Sequence, residues 1–572
     1  MARIKSKRNA LQTLSCKFGG IGKHTPLEPL GADDMCNFRI LPNGVLRVRS
    51  GYVCKKHFTS GKKVRGIWEG VMNGISIVLV VVGNTVYRLQ KDMTNEINAG
   101  TITDGNENVH FCMYMDNLYL LDGTKIWTYQ PTFSKFVEIE PYVPLYGYLW
   151  HPQVYGEINE GINLLTPRLR VHYYNSGDYN TFILPYYASS VEVVYANGRK
   201  TTDYTFLANS NKITFTSSTP PTTVEVGFTV ILNEDLRNTI LASQMSYIYS
   251  CNKENRLMLW GRDGNLFCSK DVTNSMISSC HVLYPNASHL YFCTDDICFL
   301  GDFMHPITAI CPLHETLLVF TSDRIWNLSF DAEEGIQSTL VMQDIGCSSL
   351  YGAIPYKNGV LAAMNGGLYQ LTASSSRTDE LSYKRISRLI DDKFSTGFTD
   401  NVHLIHNLPD EEIWMYDPAD TSGNIWVWNI ESDEWYRFDG IHATFFFKST
   451  SGLEFASESD IYMFDHTKST DDGSAIDAFY KSTYLDFGVP EQIRRSVRAL
   501  LYASPSKSRA KMLLETEQGK IAHYLIAPSY ATTPQLYDMR MKTHRYRFFR
   551  FTLSIAASHP TEFYRLEIYS RP

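Results

Sequence analysis

At 572 residues the chain exceeds the roughly 250 to 300 at which a single hydrophobic core stops growing, so two to four domains are expected. Its 44% hydrophobic and 20% charged residues are those of a folded protein, and 36 Tyr within a 13% aromatic share favour strands. A formal charge of −7 excludes a wide basic face for gripping nucleic acid, and eleven Cys without paired spacing exclude a disulfide framework or zinc site.

In chain order, Met1-Ala-Arg-Ile-Lys5-Ser-Lys-Arg8 is basic but has no apolar core of the kind a secretory signal needs, so the chain is expected to stay in the cytosol of the cell that makes it. The next forty residues are rich in Gly, Pro and charge and predict an extended arm over residues 1–50. The arm closes in a hairpin at Asn43-Gly44, whose second strand leads into a propeller. The apolar run over residues 75–83 is half a membrane span and β-branched, which predicts a buried strand and no membrane insertion.

Seven short segments share one shape: a turn residue, an aliphatic, an aromatic, any residue, a hydrophobe. They begin at Asn84, Asn117, Asn265, Arg324, Gly367, Asn424 and Asp460. Side chains alternate across a strand, so each copy presents one aliphatic and one aromatic face, and repetition of such a unit predicts a β-propeller of six or seven blades. The interval from Asn117 to Asn265 is far longer than the roughly 40 to 50 residues of a blade, which predicts an insertion. Alternation at Leu169-Arg-Val-His-Tyr-Tyr174, Ser190-Val-Glu-Val-Val-Tyr195, Lys212-Ile-Thr-Phe215 and residues 223–230 reads as a small β-sandwich, with Asn197-Gly198 as a turn. Residues 238–247 predict one or two helical turns leading back to the propeller. His466-Thr-Lys-Ser-Thr-Asp-Asp-Gly-Ser474 reads as a polar linker to a second sandwich.

The expected fold is therefore all-β, a β-propeller with an inserted and a C-terminal β-sandwich. The divisions are 1–50 (arm and closing hairpin), 51–145 (propeller, first part), 146–246 (inserted sandwich), 247–470 (propeller, second part) and 471–572 (C-terminal sandwich).

Chemistry-bearing patterns are weak. Gly19-Gly-Ile-Gly22-Lys23-His24 lacks the spacing and the hydroxyl residue of a phosphate loop. His403 and His406, three apart on a predicted strand, face opposite ways and should not share a metal. The acidic pairs Asp391-Asp392, Glu333-Glu334 and Asp471-Asp472 read as solvated loops rather than catalytic carboxylates, and Asp104-Gly-Asn-Glu-Asn108 matches a calcium loop only loosely. No catalytic, cofactor-binding or metal-binding residue is assigned, no cofactor is expected, and the chain is not expected to be an enzyme.

The N-terminal passage Phe18-Gly-Gly20, Thr25-Pro26, Ala32-Asp-Asp-Met-Cys36-Asn37-Phe-Arg39 and Gly44-Val-Leu-Arg47-Val-Arg49-Ser-Gly51-Tyr52 resembles the tail nozzle of short-tailed bacteriophages. That family is also called packaged-DNA stabilisation protein, tail accessory factor or tubular tail protein B. Asn163-Leu-Leu-Thr-Pro-Arg168, His305-Pro-Ile-Thr-Ala-Ile310, the segment from Leu317 to Trp326, and Phe487-Gly488 extend the resemblance. The resemblance implies a structural virion protein that assembles in the host cytoplasm as a hexameric ring. The ring would lie beneath the portal and adaptor, retain packaged DNA and conduct it during ejection with only transient contact, and carry fibres or spikes and a closing needle or plug. Within it, residues 1–26 would dock on the adaptor or a neighbouring subunit, and their deletion would leave the propeller folded. The competing expectation from the fold is a propeller-based carbohydrate-binding protein or glycoside hydrolase.

Overall fold

The computed structural model describes residues 12–16, 18–22, 31–149, 160–174, 178–251, 254–331, 335–373, 381–394, 397–504, 507–519, 521–529 and 533–571. The fold is all-β, a β-propeller with an inserted and a C-terminal β-sandwich. The chain divides into two compact units, residues 65–310 with 315–344, and residues 1–64 with 311–314 and 345–572.

Seven four-stranded antiparallel meanders have the form of propeller blades. Four fall essentially in the first unit, beginning with Val64–Met72, His110–Tyr114, Met245–Cys251 and Ile307–Leu313. Three lie in the second, beginning with Ala353–Tyr356, His403–Asn407 and Phe445–Ser449. The last blade takes its fourth strand, Gly51–His57, from the N-terminal side, where it pairs with Asp460–Asp465.

Six of the seven repeat segments lie on the third strand of their blade: Thr85–Leu89, Asn265–Ser269, Arg324–Asp331, Gly367–Ala373, Ile425–Asn429 and Asp460–Asp465. Their aliphatic residues Val86, Leu266, Ile325, Leu368, Ile425 and Ile461 are all completely buried. The seventh copy is a correction. Asn117–Leu121 is the second strand of its blade, and the equivalent third strand is Ile126–Gln130, where Ile126 and Trp127 take the aliphatic and aromatic positions. Lys125 precedes that pair where the pattern asked for a turn former, and Gly123, at φ 81°, makes the turn two residues earlier.

The inserted sandwich has a five-stranded sheet in the order Leu145–Leu149, Arg168–Tyr174, Thr223–Thr229, Ser190–Ala196, Arg199–Lys200, and a three-stranded sheet of Thr181–Ala188, Ser210–Phe215 and Tyr204–Phe206. Between them lies a core of Leu169, Val171, Tyr173, Phe182, Leu184, Ile213, Val226 and Phe228. Asn197 (φ 51°) and Gly198 (φ 72°) form a two-residue hairpin turn that sets Ala196 opposite Arg199. The helix runs over Glu234–Leu241, earlier than the apolar spacing suggested. The Asn233 side chain caps the Leu236 N–H, and Glu234 and Asp235 occupy the positive first turn.

The C-terminal sandwich packs Ser474–Ser482, Ala510–Thr516, Ile521–Ile526 and Phe549–Ala557 on one side, and Arg494–Ala503, Gln535–Tyr546 and Glu562–Arg571 on the other. The arm is not a free extension. Gln12–Cys16 pairs with Glu562–Arg571, the Phe38–Ile40 and Leu46–Val48 hairpin joins the same strand, and Ala32–Cys36 pairs with Ser474–Ser482. Phe18 and Ile21 are 3% exposed within the core of this unit. From the sequence the arm is expected to serve docking, its deletion leaving the propeller folded; its described part instead packs into the core of this unit. Lys5 to Arg8 and Thr25-Pro26 lie outside the described residues. The expected linker is also structured, since Thr470–Asp471 pairs with both Gly51–His57 and Ser474–Ser482.

Candidate functional site

The residues that carry the family resemblance converge on two buried clamps. In the first, Asn37 sits in the left-handed region (φ 57°), a conformation Asn tolerates better than most side chains. Its amide donates to Asp439 Oδ1 (2.5 Å) and to the Asp477 carbonyl (2.7 Å), and its oxygen accepts from Arg49 Nε (2.9 Å). Arg49, 1% exposed, also donates to both Asp471 oxygens (2.8 and 2.6 Å) and to the Asp439 carbonyl (3.0 Å). One side chain thus ties the arm to the sixth blade and to the start of the C-terminal sandwich.

Arg47 is exposed where Arg39 and Arg49 are buried. It forms an exposed pair with Glu562. Arg39 donates from Nη2 to Glu412 Oε2 (3.1 Å), and its charge is paired with Glu412 Oε1 (3.0 Å from Nε) and Asp410 (2.8 Å). Glu412 is 1% exposed and also accepts from Trp414 Nε1 (2.7 Å) and the Tyr436 hydroxyl (2.5 Å). Burial works against the Arg39 charge, but Glu412 and Asp410 outweigh it and raise the guanidinium above its ordinary value. The Gly-Gly arm is explained by close approach. A Cβ on Gly20 would lie 2.6 Å from the Trp435 carbonyl, because the Gly20 N–H reaches Glu434 Oε2 at 2.6 Å.

The second clamp holds the base of the inserted sandwich. Asn163, fully buried, donates to the carbonyls of Tyr142 (2.7 Å) and Leu290 (2.8 Å) and accepts from the N–H groups of Leu165 and Phe292. Arg170, 5% exposed, donates to the Val143 carbonyl, the Tyr142 hydroxyl and Ser279. Phe487-Gly488 is a positive-φ turn (60° and 74°), with the Arg494 guanidinium 4.9 Å from the Phe487 ring centre.

An open cavity of about 580 Å³ lies in the unit of residues 65–310 and 315–344. Asp104, Glu107, Asp122 and Asp263 line it with Arg65, Arg262, Gln244 and Phe303, giving four carboxylates against two guanidiniums. Arg65 is spent on the carbonyls of Glu107, Gly83 and Thr103 (2.7, 2.9 and 3.0 Å). Asp122 holds its own turn, accepting from the N–H groups of Thr124 and Lys125 and from Trp127 Nε1; burial is outweighed by these bonds, and its pKa falls. Glu107 pairs with Arg262 and accepts from Gln244. Burial raises the Asp263 carboxyl. With Phe303 81% exposed at the rim, the cavity can accept hydrogen bonds from a polyol or hold an organic cation. Sequence reasoning touched it only through Asp104-Gly-Asn-Glu-Asn108.

The other screened residues fall as follows. His403, 8% exposed, bonds the Tyr416 hydroxyl (3.1 Å), and burial depresses it to about 3; His406 faces the opposite side of the strand, 6.1 Å from Tyr356 between ring centres. Asp471 is an ion-pair partner on a strand rather than a solvated loop residue, which corrects that reading, and Asp472 accepts from the Cys54 N–H. Asp391 accepts from Ser387 and pairs with Arg385 (2.8 Å). Lys23, His24, Glu333 and Glu334 lie outside the described residues. Among the described residues no group of three or more His, Cys, Asp or Glu is placed to hold a metal ion, and no helix is long and apolar enough to cross a membrane.

No family model matches the chain, and no curated protein matches it. Among solved structures it is similar to an exo-β-1,3-galactanase of Phanerochaete chrysosporium bound to galactose. That match has 9% identity and a TM-score of 0.21, and covers 91% of this chain and all of the other. A carbohydrate-binding module in complex with β-1,4-galactotriose matches over 17% of this chain and 66% of its own length (8% identity, TM-score 0.15). The enzymatically active domain of tailspike protein 4 of bacteriophage CBA120 matches over 16% and 13% respectively (10% identity, TM-score 0.13). Superpositions at this level carry no argument about activity.

Proposed function

We propose that the chain is a structural protein of a short-tailed phage tail, a subunit of the ring-shaped nozzle that retains packaged DNA and conducts it on ejection. The observation that supports this reading is the role of the motif residues. Asn37, Arg39, Arg49 and Asn163 are buried and spent on internal bonds, so the residues shared with the nozzle pattern fasten modules together and present no reactive group to a substrate. Such proteins work as rigid parts, and fixed β modules joined by buried charge-assisted bonds suit a part that must bear the passage of DNA. In this reading the chain is not an enzyme, lies in the virion tail, and meets the portal or adaptor above, a needle or plug below, and fibres or spikes at the side. The test is reconstitution: incubate the purified chain with portal–adaptor complexes and image the product. A ring of this chain on the adaptor supports the proposal, and no association overturns it.

A second reading is favoured by one observation, the polar cavity with an exposed aromatic rim at Phe303. In a propeller-based carbohydrate-binding protein or glycoside hydrolase it would receive a sugar, with Asp104 and Asp263 accepting hydroxyl protons. Glycan-array binding by the wild type that is lost in Asp263→Ala favours this reading.

A further inference from the structure

One face of the five-stranded sheet in the inserted sandwich is turned away from the core. Leu169, Val171, Tyr173, Val224, Val226 and Phe228 fill the core, so the residues that alternate with them stand on the opposite face. There the register sets Tyr148 beside His172, His172 opposite Glu225, and Glu225 opposite Tyr195, one side chain from each of four adjacent strands. The rings gather at one end of this row. His172 lies 5.2 Å from Tyr148 and 4.5 Å from Tyr174 between ring centres, and Tyr148 and Tyr174 stack at 6.0 Å. Tyr148 is nonetheless 45% exposed.

Beside the row lies a cavity of about 110 Å³, lined from the sheet by Tyr148, Arg170, His172 and Glu225, and by Ser279 and Val282 from the end of the helix Asn274–Cys280 and the turn after it. Its charges are committed. Arg170 is spent on the Val143 carbonyl, the Tyr142 hydroxyl and Ser279. Glu225 Oε1 receives His172 Nδ1 at 3.0 Å, and this bond holds the carboxyl below its ordinary range although burial acts the other way. His172 Nε2 is buried without a hydrogen-bond partner among the described residues, a cost that folded proteins seldom leave standing. The ring is therefore kept here for what its other nitrogen does: it fixes one oxygen of Glu225 and leaves the second, on a side chain 33% exposed, to accept a further hydrogen bond.

We infer that this face binds a neutral sugar, one pyranose ring lying with its apolar C–H face on Tyr148 and donating a hydroxyl to Glu225. The ligand class follows from the chemistry of the wall. An anion would meet the Glu225 carboxylate with no uncommitted cation to hold it, and a cation would meet the Arg170 guanidinium. A neutral molecule with an apolar face for the ring and hydroxyls at its edge satisfies both Tyr148 and Glu225. A single strand of nucleic acid also stacks on aromatic rings, but it needs a positively charged groove for its backbone, which this face lacks. The volume admits one edge of a sugar ring and leaves the rest of the chain outside, as suits recognition of an oligosaccharide on a surface. This site shares no lining residue with the cavity beside Phe303 and depends on neither reading of the whole protein.

The test uses the whole purified chain on an array of neutral hexose and N-acetylhexosamine oligosaccharides, with sialylated and sulfated glycans and single-stranded DNA alongside, followed by calorimetric titration of the strongest neutral probe. Circular dichroism and thermal unfolding check that every variant is folded. Tyr148→Ala and Glu225→Ala should each weaken binding about tenfold or more, while Tyr148→Phe, which keeps the ring face, and Asp263→Ala, in the other cavity, should bind as the wild type does. His172→Ala should weaken binding too, and His172→Gln, whose amide still donates to Glu225, should restore part of it. Absence of binding to every neutral probe at millimolar concentration overturns the inference, as does binding that survives Tyr148→Ala or Glu225→Ala. A preference for the anionic glycans or for DNA overturns it as well, and binding lost in Asp263→Ala but kept in Tyr148→Ala assigns the sugar to the cavity beside Phe303 instead.

Discussion

Arg49 shows what a buried arginine does in this chain. Its guanidinium is divided among Asp471, Asn37 and the Asp439 carbonyl, three points on separate stretches of sequence. Removing one partner of such a pair leaves the other charge buried without compensation, so Arg49→Ala should destabilise its unit by about 3 kcal/mol in chemical denaturation. Arg49→Lys should recover only part, because an ammonium cannot reproduce the planar fork. His403 makes a separate prediction. Burial, with Lys63 adding to it, depresses its folded-state pKa to about 3, so between that value and about 6.5 the unfolded chain binds one more proton than the folded chain. Stability contributed by the neutral imidazole is thus complete above about pH 6.5 and is lost on acidification, at about 1.4 kcal/mol per pH unit. Unfolding free energies at pH 7 and pH 5 should show His403→Gln losing about 2 kcal/mol less than the wild type over that interval.

Among the elements, the strand Gly51–His57 carries the closest backbone contact. A Cβ on Gly51 would meet the Thr470 carbonyl oxygen at 2.0 Å, so Gly51→Ala should separate Thr470–Asp471 from its partner and lower stability by about 3 kcal/mol. Gly74→Ala is the control. Nothing lies within 4 Å of its Cβ, and the cost should be the roughly 1 kcal/mol of an alanine forced to φ 76°. Truncation of residues 1–22 removes Phe18, which packs edge-on against Tyr480 at 5.2 Å, together with Ile21 and the strand Gln12–Cys16. It should lower the thermal midpoint of unfolding; an unchanged midpoint would show that these contacts contribute nothing.

The blade strands were legible because alternation is local: Val86 and Tyr87, or Ile425 and Trp426, declare their faces within two residues. The arm was not, because its partners are distant in sequence. Gln12 meets Ser570, Asn37 meets Asp439 and Arg39 meets Glu412, and nothing near residues 12–39 announces them. The same distance hid the clamps: Asn163 reads as an ordinary polar residue until Leu290 and Phe292 are brought to it. The cavity escaped because its carboxylates come from segments more than a hundred residues apart, Asp104 and Asp263 among them.

At the scale of the whole molecule, the proposed tail role requires the modules to be parts of a larger assembly. The measurement that tests this most directly is imaging and native mass of the chain alone and mixed with portal and adaptor proteins. The expected result is a closed ring of this chain seated on the adaptor, with an axial opening wide enough for duplex DNA. A chain that never joins those rings, and instead binds glycans through the cavity beside Phe303, would contradict it.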